Sequence, residues 1–515
     1  MRIVVRTAAK LAVVSCCGML ALCAAGTIAR ADQPILLPNS LVISSSTYDR
    51  TQGPVASLAV NSTLSGTATA TAKAIAGNDY IDVWTNDTVD GSFGITSAIQ
   101  LTDIEPHSGH VFNTVAVPPD QVVTSFSSKS ELGLHVTKDA SGSAHLVFVA
   151  YAGAGVGQID VSNADAVPGQ DPTNPCTFAF GTGHAFARTI VSMDAQGNFA
   201  YTPTIDYGGN NGRSALLGSN GLYYAVGNAN NGSVSKFGPN GTNPDVTETT
   251  GLEVVTPIDG ATSNVAIPAG NSAEVDPLIQ DTFPGSKPDK AGKDNNYRGV
   301  TEYGGALYFT KGSGGNGIDT VYTVGSLPTV GDAASTKITV VPGFPTDPAK
   351  AGGNFTPFAV FFADDTTMYV TDEGSGDSLD LSSHAGLEKW SLVSGTWQLD
   401  YVLTKGLIGV VDTNLNGVDG PYPDVTSVGL RNLTGSVGKD GKVTLWATTS
   451  TSSTSGDQGA DPNKVVRITD DVNATTVTGN VANESFVTIA GPVYGTVYRG
   501  VAFVDMPRDH DHDHD

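Results

Sequence analysis

The sequence predicts an all-β fold laid out as one closed ring of repeated sheets, and three observations carry that reading. Glycine (61) and proline (27) punctuate a chain of 515 residues in which few windows favour helix. A strand, polar turn and second strand recur along the chain at long spacing. The last copy stops after its first strand, as a ring needs when N-terminal strands complete its final sheet.

The copies are SELGLHVTKDASGSAHLVFVAY (131–152), GRSALLGSNGLYYAVG (212–227), YRGVTEYGGALYFTKG (297–312), PFAVFFADDTTMYVTDEG (357–374) and GLRNLTGSVGKDGKVTLWATTS (429–450), then the truncated YRGVAFVD (498–505). Alternation in LHVTKD, LYFTK and VTLWAT has the period of two that sheets impose. Further strands follow in VYTVG (321–325), GLEKWSL (386–392) and NKVVRITD (463–470), giving three or four strands per copy, the size of a propeller blade. LVISSSTY (41–48) and FGITSAIQLTDI (93–104) are the candidates to complete the last blade. The expectation is therefore a single β-propeller of six blades, seven being the other possible count. The unequal spacing of the copies keeps a pair of β-sandwiches or a β-solenoid as the competing architecture. The low-complexity stretch 62–77 reads as a surface loop, and 232–296, dense in Asn, Gly, Pro and Asp, as a long insertion between blades.

The segments SFSSKSELGLHV, NNGRSALL, KAGKDNNYRGV, YFTKGSGGNGIDTVY, YVTDEGSGD, GLRNLTG and SGDQGADPNK together resemble an uncharacterised group of exported bacterial and fungal propeller-like proteins. The resemblance covers most of 120–505 and implies the fold without implying an activity. The His/Asp tail is not part of it.

Residues 1–31 read as a signal peptide: Arg2, Arg6 and Lys10 precede an apolar run from Leu11 to Ala25, and Ala29-Arg30-Ala31 supplies the cleavage pattern. That run is too short for a comfortable membrane span, and no later one approaches the roughly 20 apolar residues needed. A secreted or periplasmic protein is expected, with a propeller over 32–505, a disordered tail over 506–515, and a monomeric state. Cys16, Cys17 and Cys23 lie in the signal, so the mature chain retains only Cys176 and no internal disulfide. It would also retain 23 basic against 51 acidic residues, a formal charge of −28. Such a balance excludes nucleic acid or an anionic membrane as a partner held by bulk charge.

The acidic turns are candidate metal sites. DTNLNGVDG (412–420) starts like a calcium loop, with Asp412, Asn414 and Asn416 in the one-three-five oxygen spacing and Gly417 at the turn. Pro423 stands where the bidentate Glu belongs, and Asp419 or Asp424 is the candidate substitute; an Asx-rich turn is the plainer reading. In ADDTTMYVTDEGSGD, one strand separates Asp364 and Asp365 from Asp372, Glu373 and Asp377 by about 20 Å, so the acids do not form one site. The first two read as turn residues, and the last three as candidate calcium ligands in a Gly-broken loop. Asp457 and Asp461 repeat the style. The tail histidines His510, His512 and His514, alternating with carboxylates, suit loose chelation of Zn, Ni or Cu.

The basic residues are scarcer and more informative. Of eight arginines beyond residue 31, four sit at or beside the start of a repeat: Arg213, Arg298, Arg431 and Arg499. Equivalent positions in a propeller lie on one ring, with Lys129 and Glu131 near the slot in the first copy. The expectation is a partial arginine collar at a channel mouth that attracts a phosphate or carboxylate; ion-paired arginines stapling blades together is the structural alternative. KGSGGNGID (311–319) lacks the ending of a phosphate loop, and no GxSxG or histidine triad is present. Two functions follow. One is an exported binding module for an anionic small molecule or surface glycan, with cation-stabilised loops. The other is a calcium-dependent hydrolase of phytase or lactonase type.

Overall fold

A computed structural model describes residues 35–57, 62–63, 75–76, 79–80, 94–138, 142–153, 155–159, 188–204, 206–207, 210–228, 250–258, 271–277, 295–314, 317–349, 355–376, 384–455, 458–479 and 481–505. The expected signal peptide and the His/Asp tail, with His510, His512 and His514, lie outside the described residues, as do Cys176, Asp377 and Asp457.

Six small antiparallel sheets stand in a ring, the arrangement of a six-bladed β-propeller. Blade 1 is built mainly from Val122–Ser125, His135–Lys138, Ala144–Ala152, Arg188–Asp194 and Phe199–Thr204. Blade 2 runs outward from Gly212–Leu217 through Tyr223–Gly227 and Gly251–Val255 to Ser272–Glu274. Val300–Tyr303, Ala306–Lys311, Thr320–Val324 and Thr339–Val340 form blade 3. Blade 4 takes Pro357–Asp364, Thr367–Asp372, Gly386–Val393 and Thr396–Leu403. Blade 5 takes Val425–Val437, Lys442–Ser452, Val465–Asp471 and Val487–Ala490.

Blade 6 closes the ring. Its innermost strand is the C-terminal Thr496–Phe503, which pairs with Leu41–Thr47, which pairs in turn with Ile99–Ile104. The truncated last copy thus finds its missing strands at the other end of the chain, with Leu41 opposite Phe503 and Thr47 opposite Thr496. The innermost strands of blades 1 to 6 touch in order, and that of blade 6 touches that of blade 1.

Each of the six seams has its own apolar core. Val42, Leu101 and Ala502 pack on Leu146 and Phe148 between blades 6 and 1, and Trp446 on Val501 between blades 5 and 6. Blades 4 and 5 share Tyr369, Leu387, Leu430 and Leu445, and the other three seams are filled in the same way. Alternation along each strand sends one side-chain row to each neighbour, so both faces of a blade are apolar. At Gly500 and Gly299 the inner strands approach closely: a Cβ there would stand 2.2 Å from the Leu132 carbonyl oxygen and 2.5 Å from that of Phe358.

In four of the seams a hydroxyl on a blade's second strand donates to a backbone carbonyl of the next blade. Ser44 donates to the carbonyl of Leu132 at 3.0 Å, Thr310 to that of Phe358 at 2.6 Å and Thr448 to that of Arg499 at 3.1 Å, and Thr371 donates to that of Arg431. The matching strands of blades 1 and 2, AHLVFVAYA and YYAVG, contain no Ser or Thr.

One expectation is corrected. The stretch 232–296 is not solely an insertion, because Gly251–Val255 and Ser272–Glu274 within it are the third and fourth strands of blade 2. GLEVV is a short buried strand whose signal was swamped by its polar, Gly-rich surroundings. Among the described residues no helix is long and apolar enough to cross a membrane.

Candidate functional site

Antiparallel pairing puts the start of each innermost strand beside the end of the second strand, as where Pro357 faces Asp372. The repeat-start arginines and the loop beginning at Glu373 are therefore delivered to the same end of the ring. Glu373 is the common partner: Arg298 Nη2 lies 3.0 Å from its Oε1 and Arg431 Nε 3.4 Å from its Oε2. Burial opposes its ionisation, yet Arg298, Lys129 and Arg431 together hold the carboxyl below the usual glutamate range.

Arg298 also reaches across to blade 1, donating through Nη1 to the Ser130 hydroxyl at 3.0 Å, and its guanidinium lies 5.4 Å from the Phe358 ring centre. Arg213 donates to the Asn296 side chain and, at 2.8 Å, to the carbonyl of Tyr297. Burial and then the like charge of Arg298 pull Arg213 down to about 9. Arg499 donates to the carbonyl of Phe126, on the side of blade 1. Glu131 is engaged by neutral donors: Tyr151 and Asn211 at 2.6 and 2.7 Å on one oxygen, Thr124 and Ser125 at 2.7 and 2.9 Å on the other.

The collar differs from an open mouth in its burial. Arg213, Arg298, Arg431 and Arg499 are 6, 3, 3 and 2% exposed, so these side chains fill the channel instead of rimming it. Several donors inside remain unmatched: Arg431 Nη2 and the Nε atoms of Arg213 and Arg298 have no hydrogen-bond partner. Among the described residues these three buried guanidiniums have one ion-paired carboxylate, Glu373, and unmatched N–H groups of the kind that bond oxyanions.

The acidic candidates have other partners. Asp372 is fully buried and accepts from the Thr356 N–H, the Thr356 hydroxyl and the Gly374 N–H at 2.6, 2.5 and 2.8 Å, while burial pushes it up to about 6. Asp412 pairs with Lys464 at 2.8 Å. Asp419 pairs with Arg50 and accepts from the Tyr80 N–H at 3.1 Å and the Tyr494 hydroxyl at 3.3 Å. Asn414 has a left-handed backbone, φ 61°, and Asn416 donates to its carbonyl at 3.0 Å, an Asx-rich turn. Asp364 caps its turn by accepting from the Thr366 N–H and hydroxyl, both at 2.8 Å. Among the described residues no three His, Cys, Asp or Glu side chains stand where they could hold one metal ion.

Sequence reading missed Ser130, Asn296 and Thr356, which orient the charged groups, and the stapling hydroxyls. The latter carried a signal, since YFTK, YVTD and WATT share an aromatic two residues before the threonine.

No family model matches the chain, and no curated protein matches it. Solved structures do. A protein of unknown function from Dyadobacter fermentans is 10% identical over 72% of this chain and 87% of its own, with a TM-score of 0.35. AofleA from Arthrobotrys oligospora is 11% identical over 73% and 91%, TM-score 0.27. The N-terminal domain of Nup159 is 8% identical over 72% and 89%, TM-score 0.27. Likeness this distant transfers no ligand or activity.

Proposed function

We propose that the protein is an exported binding module that holds an anionic group, a phosphate or carboxylate of a small molecule or surface glycan, in the channel beside Arg298, Arg431 and Glu373. The observation that carries this reading is the excess of buried donors. Arg431 Nη2 and two guanidinium Nε atoms are without a hydrogen-bond partner, and among the described residues only Glu373 is ion-paired to these arginines. Leaving such charge-bearing N–H groups unmatched costs about 1 to 3 kcal/mol each, which an oxyanion offsets. Hydrolysis by a calcium ion at Asp372 and Glu373 is less well supported, because Thr356 and Gly374 occupy the oxygens of Asp372 and arginines those of Glu373.

The test is calorimetry and thermal shift with inorganic phosphate, sulfate, citrate and glucuronate, at low and high salt. At least one should bind to the wild type and lose roughly tenfold or more in affinity in Arg431→Gln. If none of the four binds, or if Arg431→Gln binds as the wild type does, the reading fails.

A further inference from the structure

A cavity lies away from the arginines, in the groove between blades 5 and 6 where their innermost strands end at Val437 and Phe503. Its volume is about 300 Å³, at the lower end of the range for small-molecule sites, roughly 300 to 1,000 Å³. Trp446 and Phe503 line it, their rings stacked with centres 5.0 Å and planes 4° apart. The pair is fixed in place. Trp446 donates through Nε1 to the carbonyl of Pro106 at 2.7 Å and packs with Leu41 and Val501, while the Phe503 N–H bonds the Thr434 hydroxyl at 3.1 Å. Trp446 is buried and Phe503 only partly so, which makes Phe503 the ring that a ligand reaches.

The polar side chains of the same cavity offer both donors and acceptors. Thr444 and Thr469, cross-strand partners in blade 5, bond each other at 3.3 Å; that bond takes one hydroxyl proton and leaves the other. The Ser436 hydroxyl and the Asn39 amide have no side-chain hydrogen bond among the described residues. Two carboxylates also face the cavity. Glu105 accepts from the His107 and Ser108 N–H groups at 3.1 and 2.6 Å, and Asp440 from the Lys442 N–H at 3.1 Å. The lysine of the lining, Lys442, is paired with Asp471 at 2.8 Å.

We propose that this groove binds a neutral sugar ring. A ligand that fits it presents an apolar face to Phe503 and, around its edge, groups that both donate and accept. A pyranose is divided in that way: its C–H bonds lie against the negative face of an aromatic ring, and its hydroxyls bond Ser436, Asn39 and the threonine pair and donate to Asp440. Glu105 and Asp440 set the charge of the ligand, since they repel a phosphate or a uronate. A wholly apolar ligand would strip water from these hydroxyls and carboxylates without replacing its bonds. The aromatic pair is locked before any ligand arrives, so binding orders little. The site is separate from the channel in place and in ligand charge, and neither reading depends on the other.

The experiment titrates the whole protein with the methyl glycosides of glucose, galactose, mannose, fucose and N-acetylglucosamine, read by calorimetry and saturation-transfer NMR. At least one should bind saturably, and equally well with or without phosphate and in Arg431→Gln. Asp440→Ala, which removes an exposed side chain, should weaken that binding roughly tenfold or more. Should Asp440→Ala fail to fold, Ser436→Ala serves, with an expected loss of about fivefold. The site is overturned if none of the five glycosides binds, if the variant tested binds as the wild type does, if Arg431→Gln abolishes the binding, or if the cation choline binds more tightly than every sugar.

Discussion

The channel and the seam between blades 1 and 2 are two buried groups of charge with opposite deficits. In the channel, Arg298 and Arg431 converge on one carboxylate, and guanidinium N–H groups are left over. In the seam, Glu253 and Glu274 face each other across a strand pair with no salt bridge to either among the described residues, and carboxylate and amide oxygens there have no hydrogen-bond partner. Where donors exceed acceptors an anion answers the deficit, and where carboxyl oxygens are in excess burial favours the protonated acid. One fold thus encloses two charge groups that are told apart by which kind of atom lacks a partner.

The comparison is broken most severely by removing Glu373. Glu373→Ala strands Arg298 and Arg431 against each other and should cost about 3 to 5 kcal/mol in denaturant unfolding. If the channel accepts anions, sulfate should restore much of that loss, whereas calcium should not. Equal loss with and without sulfate would leave the arginines as staples only.

A third buried charge, already matched, sharpens the contrast. Glu388 is pushed up to about 7 by burial, accepts from Trp390 Nε1 at 2.8 Å, and lies 2.6 Å from His384, whose own pKa that contact raises. Both groups hold protons more tightly when folded. The contribution of Glu388 is therefore fully present below the unfolded glutamate value and is lost as pH rises towards 7, by about 3 kcal/mol, and that of His384 is lost only as pH rises beyond the ordinary histidine value. Stability measured from pH 4.5 to 8 should fall over that window, and Glu388→Gln should flatten the slope, with Trp390 fluorescence as a local reporter. A wild type whose stability rises over the same range would contradict this.

Smaller effects separate the two regions further. Glu253→Gln should be neutral or stabilising by about 1 kcal/mol, since it replaces a buried acid whose oxygens have no hydrogen-bond partner; a loss of several kcal/mol would mean the carboxylate is already partnered. Thr371→Val leaves the Arg431 carbonyl without its donor and should cost about 1 kcal/mol by unfolding. No measurable change would show that blades 4 and 5 are held by their apolar core alone.

Legibility in the sequence followed the range of the interaction. Strands such as VYTVG and NKVVRITD were readable because alternation and turn residues act over a few positions, and the observed Thr320–Val324 and Val465–Asp471 match them closely. Ring closure by 41–48 and 93–104 was readable from the truncated YRGVAFVD. GLEVV was not, because a strand of five residues with Glu253 at its centre, inside a long Asn/Gly/Pro tract, does not reveal a period. The acid cluster was hidden with it.

By itself the sequence determined the ring: its repeats set the blades, its cut-off last copy demanded closure, and its scarce arginines recurred at equivalent slots. Only the tertiary structure decided what those charges meet. It buried the arginines around Glu373, gave Asp412 to Lys464 and Asp419 to Arg50, and assembled Asp206, Glu253, Glu274 and Asn295 from separate strands and loops. The reason is physical. Strand pattern is fixed by neighbours one and two residues away, whereas a charge's partner and burial depend on how closely blades approach, a distance that spacing along the chain does not encode.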